Sequence, residues 1–119
     1  MSQVCVISIY VPNIKEAIRF YTTVLGFVVN KQYGPNIVTL VHGELPIVLE
    51  ESEESTYSPE SNSTGVVLAL KTEDIHQTVK TLKEHNVDFI VDEPSDCPPG
   101  KFISFRDPFG NVLEYLQFD

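Results

Sequence analysis

The chain has 119 residues, of which 42% are hydrophobic, and it carries 8 Lys and Arg against 17 Asp and Glu, a formal net charge of -9. This size and apolar fraction suit one compact domain, or two small repeated units that share a core. The negative charge argues against nucleic acid and anionic membranes as partners, because both require clustered basic residues. No apolar run approaches the about 18 residues of a membrane span.

The N-terminal stretch MSQVCVISIYV has no basic segment followed by a small-residue cleavage site, so we expect no signal peptide. Cys5 and Cys97 do not form a metal-type pair, and two cysteines fit a reduced chain better than a disulfide scaffold. Together these features predict a cytoplasmic protein.

The first half of the chain predicts a strand, a helix and three strands. VCVISIYV is rich in β-branched residues and predicts a strand. PNIKEAIRFYTTVLGF predicts a helix, because apolar residues recur at helical spacing and Gly26 occupies the position of a C-terminal cap. FVVNKQYG, NIVTLVHG and PIVLEE predict three short strands separated by turn residues.

The same order returns after an acidic, serine-rich stretch at residues 51–64, which predicts a flexible linker. GVVLALK predicts a strand, and TEDIHQTVKTLKEHNV predicts a helix that Thr72 or Asp74 can cap. DFIVDEP, KFISFRD and NVLEYLQF predict three further strands. We therefore predict a single domain at 1–119, made of a first module at 1–50, the linker at 51–64 and a second module at 65–119.

The two halves can be aligned with each other. Asn13 matches Asp74 at the helix starts, and IVLEE matches NVLEY, which pairs Glu50 with Glu114. In each module the helix covers one face of the sheet and leaves the other open. We therefore predict an α+β fold in which two βαβββ modules form a curved mixed β-sheet cup, with the helices on its outer face.

Two segments resemble signatures of a known family. FYTTVLGF, from Phe20 to Phe27, resembles the first-helix signature of the vicinal oxygen chelate superfamily, and RDPFGNVLEYLQ resembles its closing signature. This superfamily includes glyoxalase I, fosfomycin-resistance thiol transferases, extradiol dioxygenases, methylmalonyl-CoA epimerase and bleomycin-resistance binding proteins. The resemblance implies the paired βαβββ fold. In the metal-dependent members it also implies a divalent ion held by His or Glu on the first and last strands of each unit.

Transferring the family's ligand positions onto this chain leaves the set incomplete. Glu114 falls on the closing glutamate, and Glu50 falls on the pseudo-symmetric position of the first module. The first-strand positions, counted back from the two helix starts, are Val6 and Val67. Because valine cannot bind a metal, we expect no cofactor, and Glu114 and Glu50 are the only candidate metal ligands.

The histidines do not fill the gap. His76 and His85 fall on the second predicted helix, outside the cup, and are interpreted as solvated helix residues. His42 ends a strand beside Gly43 and could reach the rim of the cup, but we interpret it as a turn residue.

Strand alternation predicts which side chains face the cup. Most of these side chains are apolar. Lys71 could form an ion pair with Glu114, in which case Glu114 would have a structural role and would not bind a ligand. Val48, Ala69, Val112, Leu116 and Ser104 share the predicted face. The predicted ligand-binding residues are Glu114, Glu50, Ser8, Tyr10, Val6, Val67, Lys71 and Phe102.

Three functions are compatible with this pattern. The incomplete set of metal ligands favours a protein that binds a small apolar or cationic molecule without a catalytic metal, similar to the bleomycin-resistance proteins. The alternative is a metal-dependent enzyme of the superfamily, a glyoxalase-like lyase or thiol transferase, that uses Glu114 and Glu50. A regulatory or structural dimer with an unused cup is a third. The resemblance also implies a homodimer.

Overall fold

The computed structural model describes residues 5–52 and 66–119. It divides into two compact units, Met1–Ser55 and Thr56–Asp119. All but the first two residues of the predicted linker at 51–64 lie outside the described residues. The linker and the predicted module boundaries therefore remain predictions.

The first unit is a four-stranded mixed sheet with one helical segment. Its strands lie in the order β1-β4-β3-β2; β1 runs parallel to β4, and the other neighbours are antiparallel. The elements are β1 (Ile7–Val11), α1 (Ile14–Arg19), a π-helical turn (Phe20–Val24), β2 (Val29–Tyr33), β3 (Ile37–Leu40) and β4 (Ile47–Glu51).

The helical segment formed by α1 and the π-helical turn begins and ends at the predicted residues. The Asn13 side chain accepts a hydrogen bond from the Glu16 backbone N–H at 3.0 Å, which satisfies one of the free donors of the first turn. Gly26 adopts a φ of 80° after the last turn, where glycine is favoured.

The last part of the predicted helix is π-helical, from Phe20 to Val24. This stretch contains Thr22, Thr23 and Val24, whose branched side chains are less favourable in an α-helix. The Thr22 hydroxyl also donates to the Ile18 carbonyl at 2.6 Å, a back-bond that tends to distort helices.

The core of the first unit lies between its helical segment and one sheet face. Alternate residues of β3 and β4 point toward the helix, as strand geometry requires. Fully buried members of this layer include Ala17, Tyr21, Val38, Leu40 and Leu49.

The second unit has five strands and one helix. Its main strand order is β5-β9-β8-β6, with β7 also paired to β8, and only the β5–β9 pair is parallel. The elements are β5 (Leu68–Lys71), α2 (Ile75–Glu84), β6 (Asp88–Phe89), β7 (Ser95–Cys97), β8 (Gly100–Arg106) and β9 (Val112–Phe118).

Of the two predicted caps of α2, Asp74 is the one that the structure uses. Its side chain accepts a hydrogen bond from the Gln77 backbone N–H at 3.1 Å. The apolar stripe of the helix, which includes Ile75 and Val79, packs with Ile103 and Tyr115 of the sheet.

Three strand predictions need correction. DFIVDEP forms strand only at Asp88–Phe89, because its acidic residues and Pro94 favour a turn, and a short strand at Ser95–Cys97 follows that the sequence did not indicate. Strands β1 and β5 begin at Ile7 and Leu68, so Val6 and Val67 each lie one residue outside the ladder.

The predicted α+β class is confirmed, with one mixed sheet and one helix in each unit. In the part of the chain that the structure describes, no helix is long and apolar enough to cross a membrane.

Candidate functional site

Each sheet has one face that packs against its helix and a second that we call the open face. On the open face of the first unit, β1 and β4 place Ser8 beside Val48 and Tyr10 beside Glu50. All four lie on one face because directly paired residues on neighbouring strands point to the same side. These four residues, which were predicted to share one face, therefore lie together on the first sheet.

The open face of the second unit contains the other predicted residues. Glu114 lies on β9 between Ala69 of β5 and Ser104 of β8. In the next row, Leu116 lies between Lys71 and Phe102. Glu114 and Ser104 are half-buried, and the charged residues Lys71 and Arg106 lie on the same face of the sheet.

Glu50 and Glu114 are not structural equivalents, although the sequence alignment of the halves pairs them. In both units a side chain of the last strand accepts a hydrogen bond from the first backbone N–H of the helix. Glu51 Oε2 accepts from Ile14 at 3.0 Å, and Gln117 Oε1 accepts from Ile75 at 2.7 Å. Glu51 therefore corresponds to Gln117.

We call Glu51 and Gln117, which accept the hydrogen bond from the first N–H of each helix, the helix anchors. Counting back from them along the last strand of each unit makes Glu50 equivalent to Leu116 and Glu114 equivalent to Val48. The strand pairing gives the same answer independently. Tyr10 and Lys71 each lie three residues before a helix cap, and they pair with Glu50 and Leu116 respectively. The sequence alignment is thus displaced by two residues.

This equivalence gives the metal positions that the family fold implies. They are Val6 and Val48 in the first unit and Val67 and Glu114 in the second. Neither the two valines of the first unit nor the valine and the carboxylate of the second match the donor set of a divalent transition metal. Among the described residues, no group of three or more His, Cys, Asp or Glu side chains is arranged to hold a metal ion. The residues present therefore do not fit the metal.

Two of the predicted ligand-binding residues, Val6 and Val67, are 44% and 38% exposed.

Lys71 Nζ lies 3.6 Å from Glu73 Oε1, and both side chains are largely exposed. The ion pair of Lys71 is therefore with Glu73 and not with Glu114, and an exposed pair of this kind contributes little to stability.

The histidines lie away from the open faces, as predicted. His42 Nδ1 donates to the Leu45 carbonyl at 3.0 Å within the β3–β4 turn. His76 is exposed on α2 and lines an open groove of about 800 Å³ between that helix and residues 92–94. Lys80, Asp92 and Glu93 also line this groove, so its walls carry charges of both signs.

The sequence analysis missed the open-face residues of β2 and β3. Tyr33 and Ile37 pair with each other across β2 and β3, and so do Lys31 and Thr39. Alternation within NKQY and NIVTL is the signal that could have identified them. On the second sheet the analysis missed Arg106, which is buried and lies 3.9 Å from Asp88.

Two pKa shifts arise from plain causes. The pKa of Asp96 is lowered because Lys101 donates a hydrogen bond to it and carries the opposite charge. Burial raises the pKa of Tyr115, which stacks on Phe105 with ring centroids 5.8 Å apart. Tyr115 and Phe105 lie on the helix side of their sheet.

A family model described as Glyoxalase/Bleomycin resistance protein/Dioxygenase superfamily matches residues 3–115. The chain belongs to this superfamily. Nothing among the curated proteins matches it at a significant level.

Solved structures of the superfamily share the fold over almost the whole chain. The chain is similar to TnmS3, an antibiotic binding protein from Streptomyces sp. CB03234, with 26% identity, 100% of this chain and 98% of that chain covered, and a TM-score of 0.76. The lactoylglutathione lyase from Agrobacterium tumefaciens is 18% identical, with coverages of 97% and 92% and a TM-score of 0.72. At that identity the second likeness shows the fold alone.

Proposed function

We propose that this glyoxalase/bleomycin-resistance-type protein binds a small, largely apolar or cationic molecule through the open faces of its sheets, without a catalytic divalent metal. The observation that carries the proposal is the replacement of three family metal positions by valine, at Val6, Val48 and Val67. The similarity to TnmS3, an antibiotic binding protein of nearly equal length, supports the same class of function.

The open faces have the composition of a ligand surface. Ligand sites combine mostly apolar walls with a few polar groups that fix orientation. Here Val48, Phe102 and Leu116 supply apolar area, whereas Glu114 and Glu50 supply carboxylates. A carboxylate on an apolar face favours a ligand that carries a cation or a hydrogen-bond donor.

The experiment is a thermal-shift and calorimetric titration of the purified full chain against a panel of antibiotics of different charge. It is run with and without a chelator, and the same sample is analysed for metals. We expect saturable binding that the chelator leaves unchanged. A stoichiometric divalent metal whose removal abolishes binding or turnover would instead establish the metal-dependent enzyme.

Glu114→Gln tests the carboxylate on the second sheet. We expect about tenfold weaker binding of a cationic ligand, equivalent to about 1.4 kcal/mol, because the charge is lost while the shape is kept. Glu84→Gln removes an exposed glutamate on α2 and serves as the matched control. If Glu114→Gln unfolds the protein, Glu114 has a structural role.

The proposal includes a homodimer, as expected from the superfamily. Sedimentation of the full chain at micromolar concentration tests it directly. A single species at the chain mass of 13.4 kDa would refute it.

A further inference from the structure

The groove beside helix α2 is a second concave surface of the second unit, with a volume of about 800 Å³. One wall is the helix, and the other is the turn formed by residues 92–94. Val91, which precedes this turn, packs against the core cluster that contains Val79, and this contact holds the turn next to α2. Because α2 covers the helix side of the sheet, the groove, which we call the α2 groove, is separate from the open face.

The two walls of the α2 groove carry charges of opposite sign. His76, Lys80 and Lys83 follow one another at spacings of four and three residues, so they form one stripe along the helix. The stripe is about 10 Å long, from the rise of an α-helix. The turn opposite it presents Asp92 and Glu93, both of which are exposed. The helix wall therefore attracts an anionic group, and the turn attracts a cationic one.

The charges of the two walls are not paired with each other across the groove. Among the described residues, the ion pairs join Lys71 with Glu73, Lys101 with Asp96, and Arg106 with Asp88. None of these pairs joins the walls of the groove. The oppositely charged walls thus face each other across a space whose volume falls in the range of small-molecule sites, about 300–1,000 Å³.

The charge pattern indicates which ligand suits this space. A molecule with a charge of one sign is attracted by one wall and repelled by the other. A molecule that carries one charge of each sign at its two ends interacts favourably with both walls at once. Val79 and Pro94 also line the groove and provide apolar contact for the part of the molecule between its charged ends.

We propose that the α2 groove is a second binding site of this chain and that it takes a small, extended zwitterion. The anionic group of the ligand lies beside Lys80 and Lys83, and its ammonium group lies beside Asp92 and Glu93. This site goes beyond the function proposed for the open faces and does not depend on it, because no residue of the groove belongs to an open face.

The experiment follows the backbone amide resonances of the isotope-labelled full chain during titration with trialanine. This tripeptide is a zwitterion whose charged ends are about 10 Å apart when it is extended. Acetylation of its amino end leaves only the carboxylate, and amidation of its carboxyl end leaves only the ammonium group. We expect saturable shifts at α2 and at residues 92–94 with trialanine. Each blocked peptide should bind about threefold more weakly, because exposed ion pairs are individually weak.

Two variants assign the ends of the ligand to the walls. Lys80→Gln should weaken trialanine binding about threefold but leave the amidated peptide, which has no carboxylate, unchanged. Asp92→Asn should weaken trialanine binding about threefold but leave the acetylated peptide, which has no ammonium group, unchanged. Lys15→Gln removes an exposed lysine from α1 of the first unit and is the matched control, which should bind like the wild-type chain.

Four results would overturn the proposal. They are the absence of saturable shifts with trialanine, shifts confined to the open faces, equal binding of the three peptides, and equal effects of Lys80→Gln on trialanine and on its amidated form. Both variants alter exposed side chains, and their melting temperatures verify folding. A failure here leaves the function proposed for the open faces unaffected, because the antibiotic titrations test that function separately.

Discussion

The two units share one plan but distribute their polar side chains differently. In the first unit, Glu51 accepts the hydrogen bond from the helix N-terminus, and Glu50 lies on the open face beside a tyrosine. In the second, the amide of Gln117 takes the place of Glu51. The open-face carboxylate of the second unit, Glu114, lies two residues before Leu116, which is the equivalent of Glu50.

This difference indicates that the duplicated architecture depends on packing and on the hydrogen bond at each helix N-terminus, and not on the open-face carboxylates. The buried layers are apolar in both units, whereas the open-face carboxylates occupy non-equivalent rows. A symmetric pair of ligand groups is therefore absent from the two open faces of the described residues. The two faces differ chemically, with tyrosines on the first and Phe102 and Leu116 on the second.

The two units are expected to differ most in how much the turn before the last strand contributes to the free energy of unfolding. Asp107 is buried and accepts hydrogen bonds from the backbones of Phe109 and Asn111, both at 2.9 Å, and from the Asn111 side chain at 2.8 Å. Asp107→Ala leaves these donors without their acceptor, so we expect a loss of about 3 kcal/mol in the free energy of unfolding. Urea denaturation measures it.

The matched change in the first unit is His42→Ala, which removes one exposed hydrogen bond to Leu45. We expect it to cost less than about 0.5 kcal/mol, as is usual for surface substitutions. Similar losses for Asp107→Ala and His42→Ala would contradict the difference between the turns. Asp107→Asn, which keeps one acceptor oxygen, should fall between them.

The helix anchors give the next largest effect. Gln117→Ala and Glu51→Ala each remove an acceptor from a backbone N–H in the first helical turn, and we expect losses of about 1 kcal/mol in the free energy of unfolding. Glu51→Gln keeps the acceptor but removes a negative charge near the N-terminus of α1. We expect it to cost about 0.5 kcal/mol.

The exchange Gln117→Glu completes this test. A carboxylate near the N-terminus of α2 should be neutral or stabilising by about 0.5 kcal/mol at low salt, and the gain should shrink as salt is added. A marked destabilisation by Gln117→Glu would show that the two anchors are not interchangeable. Chemical denaturation at two salt concentrations distinguishes these results.

The smallest effect is confined to alkaline pH. Burial raises the pKa of Tyr115, whereas its counterpart in the first unit is the apolar Leu49. Above the ordinary tyrosine pKa of about 10, the folded protein retains a proton that the unfolded chain has lost, so the free energy of unfolding falls as the pH rises through this range.

Tyr115→Phe should therefore reduce the loss of stability above pH about 10, measured by urea denaturation over a pH series. Tyr33→Phe, which alters an exposed side chain, is the control and should leave the pH dependence unchanged. If the free energy of unfolding of Tyr115→Phe has the same pH profile as that of the wild-type chain, burial of the phenol does not contribute to the loss of stability at alkaline pH.

Much of the fold follows from local sequence. Asn13, Asp74 and Gly26 marked helix ends correctly, because caps depend on side-chain chemistry and backbone freedom close to the helix terminus. The π-helical turn and the short strand at Ser95–Cys97 were not predicted. Both depend on a balance between weak local preferences and hydrogen bonds to neighbouring segments.

The candidate site was only partly accessible from sequence. Alternation identified Ser8, Tyr10, Glu50 and Glu114 as residues of the open faces, and the strand pairing places them there within their own units. It could not detect the two-residue error in the alignment of the halves, because a shift of two residues keeps every side chain on the same sheet face.

The sequence by itself determined the superfamily, the α+β class and the repeated order of elements. It also placed Val6 and Val67 at two first-strand positions where the resemblance implies a metal ligand. These features are encoded in residue identity and local spacing. Only the tertiary structure decided that Val48 corresponds to Glu114 and that Tyr10 and Tyr33 share one row with Glu50. Those relations depend on strand order and on the helix anchors, which join residues that are far apart along the chain.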